Sequence, residues 1–156
     1  MSTYHLAQLN IARMLAPLDT PQMAGFVNRI DEINALADKT PGFIWRLQGD
    51  EGNATALRVF DDDWLIVNMS VWESVEALHQ YTYYSDHVEV FRQRSQWFEK
   101  METPYMVLWW IPAGHIPDVE EAKAKLAHIT EHGPTPQAFT FKQRFTVKEM
   151  VQASGD

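Results

Sequence analysis

Asn68, Ser70 and Trp72 stand two residues apart in the run Leu65-Ile-Val-Asn-Met-Ser-Val-Trp72. Period-two spacing is that of a β-strand, so these three side chains and Ile66 share one face, and Leu65, Val67, Met69 and Val71 take the other. An amide, a hydroxyl and an indole on an otherwise apolar surface can hold a small planar molecule: the polar atoms fix its orientation and the ring covers its face. The alternative is a core strand whose Asn and Ser are hydrogen-bonded to their neighbours. At Trp72 the strand hands over to a helix, with Ser74 and Glu76 as its first-turn residues.

Further candidates surround this strand. His87 follows a cap residue, Ser85, by two positions, and would be a general base or a metal-bound imidazole if it faces the recess. Tyr81, Tyr83 and Tyr84 could line the mouth of a pocket, although clustered aromatics often form core. Asn10, Ser70, Tyr83, Phe91, Trp97 and Trp110 make up the candidate binding set. Trp109 and Trp110 point to opposite faces of one strand, one toward the pocket wall and the other toward the opposite core. His128 and His132 share a helix face at a spacing that can bind zinc, but no third ligand is evident and no metal site is expected. Asp61-Asp62-Asp63 is a turn and lacks the spaced ligands of a cation loop. Neither a Gly-x-Ser-x-Gly elbow nor a dinucleotide glycine pattern is present.

The elements that must position these residues can be read in order. Tyr4–Met14 alternates as a first strand, with Leu6, Gln8 and Asn10 on one face. Thr20-Pro21 opens a helix with a one-sided stripe of Met23, Phe26, Val27, Ile30, Ile33 and Leu36, closed at Pro41-Gly42. Residues 42–48 form a second strand and 56–60 a short edge strand. After Trp72 come two helical pieces, 74–83 and 85–100. Residues 105–111 are a last strand stopped by Pro112, and 117–132 a charged, Ala-rich helix closed by Gly133. Phe139–Phe145 alternates like an appended edge strand, and the chain frays from about Val147.

This order gives an α+β fold, a split βαβ ferredoxin-like domain with an antiparallel sheet. One domain is expected over 1–150, with a core of 4–112, an extension of 113–150 and a tail of 151–156. Helices of such a domain cover one sheet face, yet the side bearing Val67, Met69 and Val71 is equally apolar. A homodimer packing sheet on sheet would bury it.

Composition narrows the function. The 156 residues carry a net charge of −8, which disfavours nucleic acid and anionic membranes as partners. With no cysteine, thiol catalysis, disulfides and Cys-based metal sites are excluded. The N-terminus shows no signal-peptide pattern and no apolar run is long enough to span a bilayer, so a soluble, cytoplasmic protein is expected.

The element order and the turn Trp72-Glu-Ser-Val-Glu-Ala-Leu78 resemble the dimeric α/β barrel superfamily, which includes antibiotic-biosynthesis monooxygenases and haem-degrading monooxygenases. Over nearly its full length the chain is most similar to a bacterial family known only as a domain of unknown function. The stretches that carry this are Leu6–Ala12, Asn68–Trp72, Trp97-Phe98, Leu108–His115 and Gly133–Phe139. The resemblance implies the fold, a dimer and three readings of function. In a cofactor-independent oxygenase, Asn68 and Trp72 would orient an aromatic or polycyclic substrate, Arg92 would stabilise its anion and His87 would take the proton; the tyrosine of that pattern falls on Leu78. In a haem-binding protein, Asn10 would match a strand-end Asn and His79 or His87 would ligate iron. A non-enzymatic dimer would only sequester a small apolar ligand.

Overall fold

The structure is a computed structural model that describes residues 3–48, 64–84, 92–100 and 104–154, with the side chains of Tyr83, Tyr84 and Ser154 left out. Four strands, β1 (Tyr4–Arg13), β2 (Phe43–Arg46), β3 (Leu65–Trp72) and β4 (Met106–Pro112), form one sheet in the order β2-β3-β1-β4. Every neighbouring pair is antiparallel. Helix α1 (Ala24–Lys39) joins β1 to β2, and α2 (Val75–Tyr84) follows β3. This is the split βαβ arrangement expected from the sequence, an α+β fold.

Local chemistry sets the element ends. Pro21 opens a short 3₁₀ turn, Pro21–Met23, before α1 begins at Ala24. Thr20 does not cap the helix: its hydroxyl donates back to the Pro17 carbonyl at 2.6 Å. Gly42 has φ +89°, and a Cβ there would come 2.5 Å from the Ala77 Cβ. Any side chain at 42 would therefore push α2 away from the sheet, and the close approach is what seats α2 over Trp72. The Glu73 amide donates to the Gly42 carbonyl at 2.7 Å and fixes the same corner.

The sheet has two apolar faces, each with its own cover. On one, Leu6, Trp72 and Leu108 pack with Ile33 and Ala37 of α1 and with Val75, Leu78 and Tyr81 of α2. On the other, Ala7, Leu9, Ile11, Val67, Met69, Val71, Val107, Trp109 and Ile111 pack against Ala122, Leu126 and Ile129 of α3 (Val119–His132). The face expected to need a second copy is thus covered by the chain's own helix. Asp118 caps α3, its carboxylate accepting from the Glu121 amide at 2.8 Å. Glu121 then ties the helix to the sheet, accepting from the Trp109 indole at 2.9 Å and meeting His115 at 2.7 Å.

Three expected elements differ. Of the helix expected over 85–100, residues 85–91 lie outside the described residues, and a 3₁₀ turn, Arg94–Gln96, stands where the helix was to run on toward Lys100. Phe98 then bridges Met14 in extended form. The strand expected over Phe139–Phe145 reduces to one bridge, in which Phe139 exchanges two backbone hydrogen bonds of 2.8 Å with Leu108 on the outer edge of β4. Its alternating Phe139, Phe141 and Phe145 pack on the α1/α2 side of the sheet instead. The segment expected to fray is a helix, α4 (Val147–Ser154). Thr146 and Glu149 form its capping box: the Glu149 amide donates to the Thr146 hydroxyl at 3.1 Å, and the Thr146 amide to the Glu149 carboxylate at 3.0 Å. The expected strand over 56–60 and the turn at Asp61–Asp63 lie outside the described residues.

Candidate functional site

Antiparallel register brings the polar residues of the first and third strands together. Gln8 stands opposite Ser70 and Asn10 opposite Asn68 on the face that α1 and α2 cover. Gln8 is the hub of the resulting network and is buried. Its side-chain NH2 donates to the Asn68 oxygen at 2.6 Å and to the Ser70 hydroxyl at 2.8 Å. Its oxygen accepts from the Asn10 amide at 3.0 Å. The Trp72 indole N–H also donates to Ser70, at 2.8 Å. The Asn68 oxygen is therefore engaged twice, by Gln8 and, at 3.5 Å, by Asn10. Its NH2 has no partner among the described residues, while the side chain itself is exposed.

What Asn68 faces is a cavity of about 670 Å³, a volume suited to a small organic ligand. Gln8, Asn10, Asn68 and Ser70 form a polar floor. Ile30, Ile33, Ile66, Leu78, Phe26, Phe98 and Phe141 supply apolar walls. Cations ring the rest: Arg29 from α1, Arg46 from β2, and Arg92, Arg94 and Lys100 from the stretch before β4. Arg46 is held by Asp38 at 2.9 Å.

Tyr81 also lines the cavity. Its hydroxyl donates to the Ile33 carbonyl at 3.2 Å, and its ring stacks on Trp72 with centroids 5.1 Å apart. Burial raises the phenol pKa well above its ordinary value; Arg46 opposes the shift and Asp38 adds to it. Tyr81 is therefore a neutral donor at physiological pH.

The structure brings together Asn10, Asn68, Ser70 and Arg92 from the sequence-derived set. Trp72 contributes from beneath. Its ring is 1% exposed, packed between Tyr81 and Phe43, so it braces the floor through Ser70 without facing the cavity. Trp97 is also one layer back, buried against Phe26 at 5.6 Å. Trp110 points its indole N–H to the Phe145 carbonyl at 2.9 Å and does not line the cavity. His87 and Phe91 lie outside the described residues, as does the side chain of Tyr83.

The described lining contains no histidine. His79, the other imidazole proposed for haem, packs edge-on against Phe141 at 5.3 Å outside the lining. His128 and His132 stack at 4.7 Å with His128 bonded to Thr135, and the described residues hold no cluster of three metal-ligating side chains. No helix among the described residues is long and apolar enough to cross a membrane.

Gln8, Arg29, Arg46, Lys100 and Phe141 are among the lining residues that reading the sequence did not single out. Gln8 was legible as a polar residue between Leu6 and Asn10 on a strand face otherwise bound for the core. Arg29 carried no such signal, since a lone arginine between Asn28 and Ile30 is an ordinary helix surface residue.

A split βαβ antiparallel sheet with a polar-floored cavity beneath α1 and α2 defines the class of fold. The chain belongs to the family described as "Domain of unknown function (DUF3291)", whose model matches residues 5–154. No curated protein matches it. Solved structures of similar shape include a Pseudomonas aeruginosa protein, 11% identical with a TM-score of 0.46, which covers 75% of this chain and 99% of its own. A Nitrosomonas europaea protein of unknown function is 9% identical with a TM-score of 0.46, covering 76% and 99%. Another N. europaea protein, provisionally described as an antibiotic biosynthesis monooxygenase, is 12% identical with a TM-score of 0.43, covering 74% and 93%.

Proposed function

We propose that the cavity binds an aromatic or polycyclic small molecule and that the protein oxidises it as a cofactor-independent monooxygenase. The observation that carries this reading is the amide–hydroxyl floor inside an apolar cavity. Asn68 there keeps an NH2 without a partner among the described residues, with its oxygen fixed by Gln8 and Asn10. A preorganised donor of that kind holds a substrate carbonyl and stabilises the phenolate or enolate formed when a proton leaves. Arg92 adds positive charge to the same anion. The electron-rich carbanion then reduces dioxygen directly: a ring CH2 becomes a C=O, one oxygen atom enters the product and the other leaves as water. His87 is the group assigned to take the first proton.

Oxygen uptake with a hydroxylated anthrone as substrate tests the reading. Wild type should consume one dioxygen per quinone formed, and Asn68→Ala should lower kcat/KM at least about tenfold, the loss of one charge-stabilising hydrogen bond. A second reading is a non-enzymatic carrier of an apolar ligand, for which the apolar walls of Ile30, Ile33, Ile66 and Leu78 suffice. Saturable binding of the anthrone without oxygen uptake would select the carrier.

A further inference from the structure

Five of the chain's 13 lysines and arginines line this one cavity, although the protein as a whole carries a net charge of −8. They arrive from three separate stretches: Arg29 from α1, Arg46 from β2, and Arg92, Arg94 and Lys100 from the segment before β4. One carboxylate, Glu99, shares the described lining, and it is paired at 3.6 Å with Arg13, which stands outside. Arg46 is matched by Asp38, and Arg92 and Arg94 make interactions of their own within the chain.

Arg29 and Lys100 have no hydrogen-bond or ion-pair partner among the described residues. Arg29 is partly buried, beside Phe26 and Ile30 in the cavity wall. A guanidinium held partly out of water without a counter-charge is costly, and an anion entering the cavity would offset that cost. An aromatic recess ringed by cations also focuses the field and draws anions in, against the repulsion of the acidic remainder of the surface.

We propose that the ligand of this cavity is an anionic aromatic acid, its ring system lying between the amide floor and the apolar walls and its carboxylate, sulfonate or phenolate held by Arg29 and Lys100. The proposal rests on the reading of the cavity as a ligand site and adds the charge of the ligand.

Two fluorescent dyes of one skeleton separate the claims: 8-anilino-1-naphthalenesulfonate, an anion, and N-phenyl-1-naphthylamine, its neutral counterpart. Both are titrated into the full chain at low and high salt. The anion should bind at least about tenfold tighter and weaken as salt rises, while the neutral dye should be indifferent to salt. Arg29→Gln should cost the anion about tenfold, a typical loss for one charge-assisted hydrogen bond, and leave the neutral dye within about twofold. Lys148→Gln, on the surface of α4, should change neither.

Equal affinities that ignore both salt and Arg29→Gln overturn the anionic class while leaving the cavity a ligand site. Asn68→Trp, which puts an indole over the polar floor, should weaken binding of both dyes at least about tenfold. If it leaves both dyes bound as before, or if neither dye binds wild type, the cavity is not a ligand site and both readings fail.

Discussion

The two faces of the sheet are built from alternate residues of the same strands, yet they differ in kind. Ala7, Leu9, Val67, Met69 and Val71 pack with Trp109 and Ile111 under α3, whose Glu121 accepts from the Trp109 indole. One residue along, Gln8, Asn10, Asn68 and Ser70 hold a hydrogen-bonded floor beneath α1 and α2, with an open volume above. A buried polar network is tolerated only where every member is satisfied, and an unfilled volume forfeits packing. The α3 face therefore supplies cohesion, and the α1/α2 face gives up part of its own to keep a site.

Substitutions on each face should break the comparison if it is mistaken. The largest effect is expected on the α3 face. Leu126→Ala opens a cavity in an apolar cluster and should cost about 2–5 kcal/mol in urea unfolding. Dye binding by the surviving folded fraction should not change. A comparable loss of dye affinity would mean that the two faces are coupled through the strands.

Ser70→Ala comes next. It strands the Trp72 indole N–H and removes one acceptor from Gln8, and should cost about 1–3 kcal/mol. Ligand affinity should fall as well, since Gln8 no longer holds Asn68 in place. Stability loss with full affinity would show that the floor is only structural.

The smallest effect is at Tyr81, and it sharpens the comparison through pH. Its folded-state pKa lies above the unfolded value near 10.0 because burial disfavours the phenolate. The stability this reflects is fully present below pH 10. It is lost as pH rises from 10 toward the folded value, because the unfolded chain then releases a proton that the folded one keeps. Tyr81→Phe should cost about 1 kcal/mol at neutral pH, by loss of the bond to Ile33. It should also flatten part of the alkaline decline in thermal unfolding midpoints. An unchanged alkaline slope would mean that the phenol ionises freely in the folded protein.

Much of this was legible in the chain. The period-two run 65–72 and the 3.6-period stripe of α1 report which residues face inward, because side-chain direction is fixed by the backbone repeat. Ser70 and Asn68 stood out as polar residues on a core-bound face, and the structure places both on the cavity floor. What surrounds a face is another matter. Strand alternation alone has Trp72 facing the recess, whereas register and the close approach of α2 at Gly42 put it underneath. The phenylalanines at 139, 141 and 145 alternate like a strand but are spaced by loop geometry that brings them onto one core.

Local sequence dictates the split βαβ order, the two inward faces and the polar character of one of them. Those properties are set by local periodicity and side-chain chemistry. Only the tertiary structure decided that α3 closes the second face, that Gln8 joins Asn10, Asn68 and Ser70, and that cations from α1, β2 and the stretch before β4 meet at one cavity. Those contacts join residues far apart in the chain: Gln8 and Ser70 stand 62 positions apart. An apolar pattern states that a surface must be buried, and cross-chain register and helix docking choose what buries it.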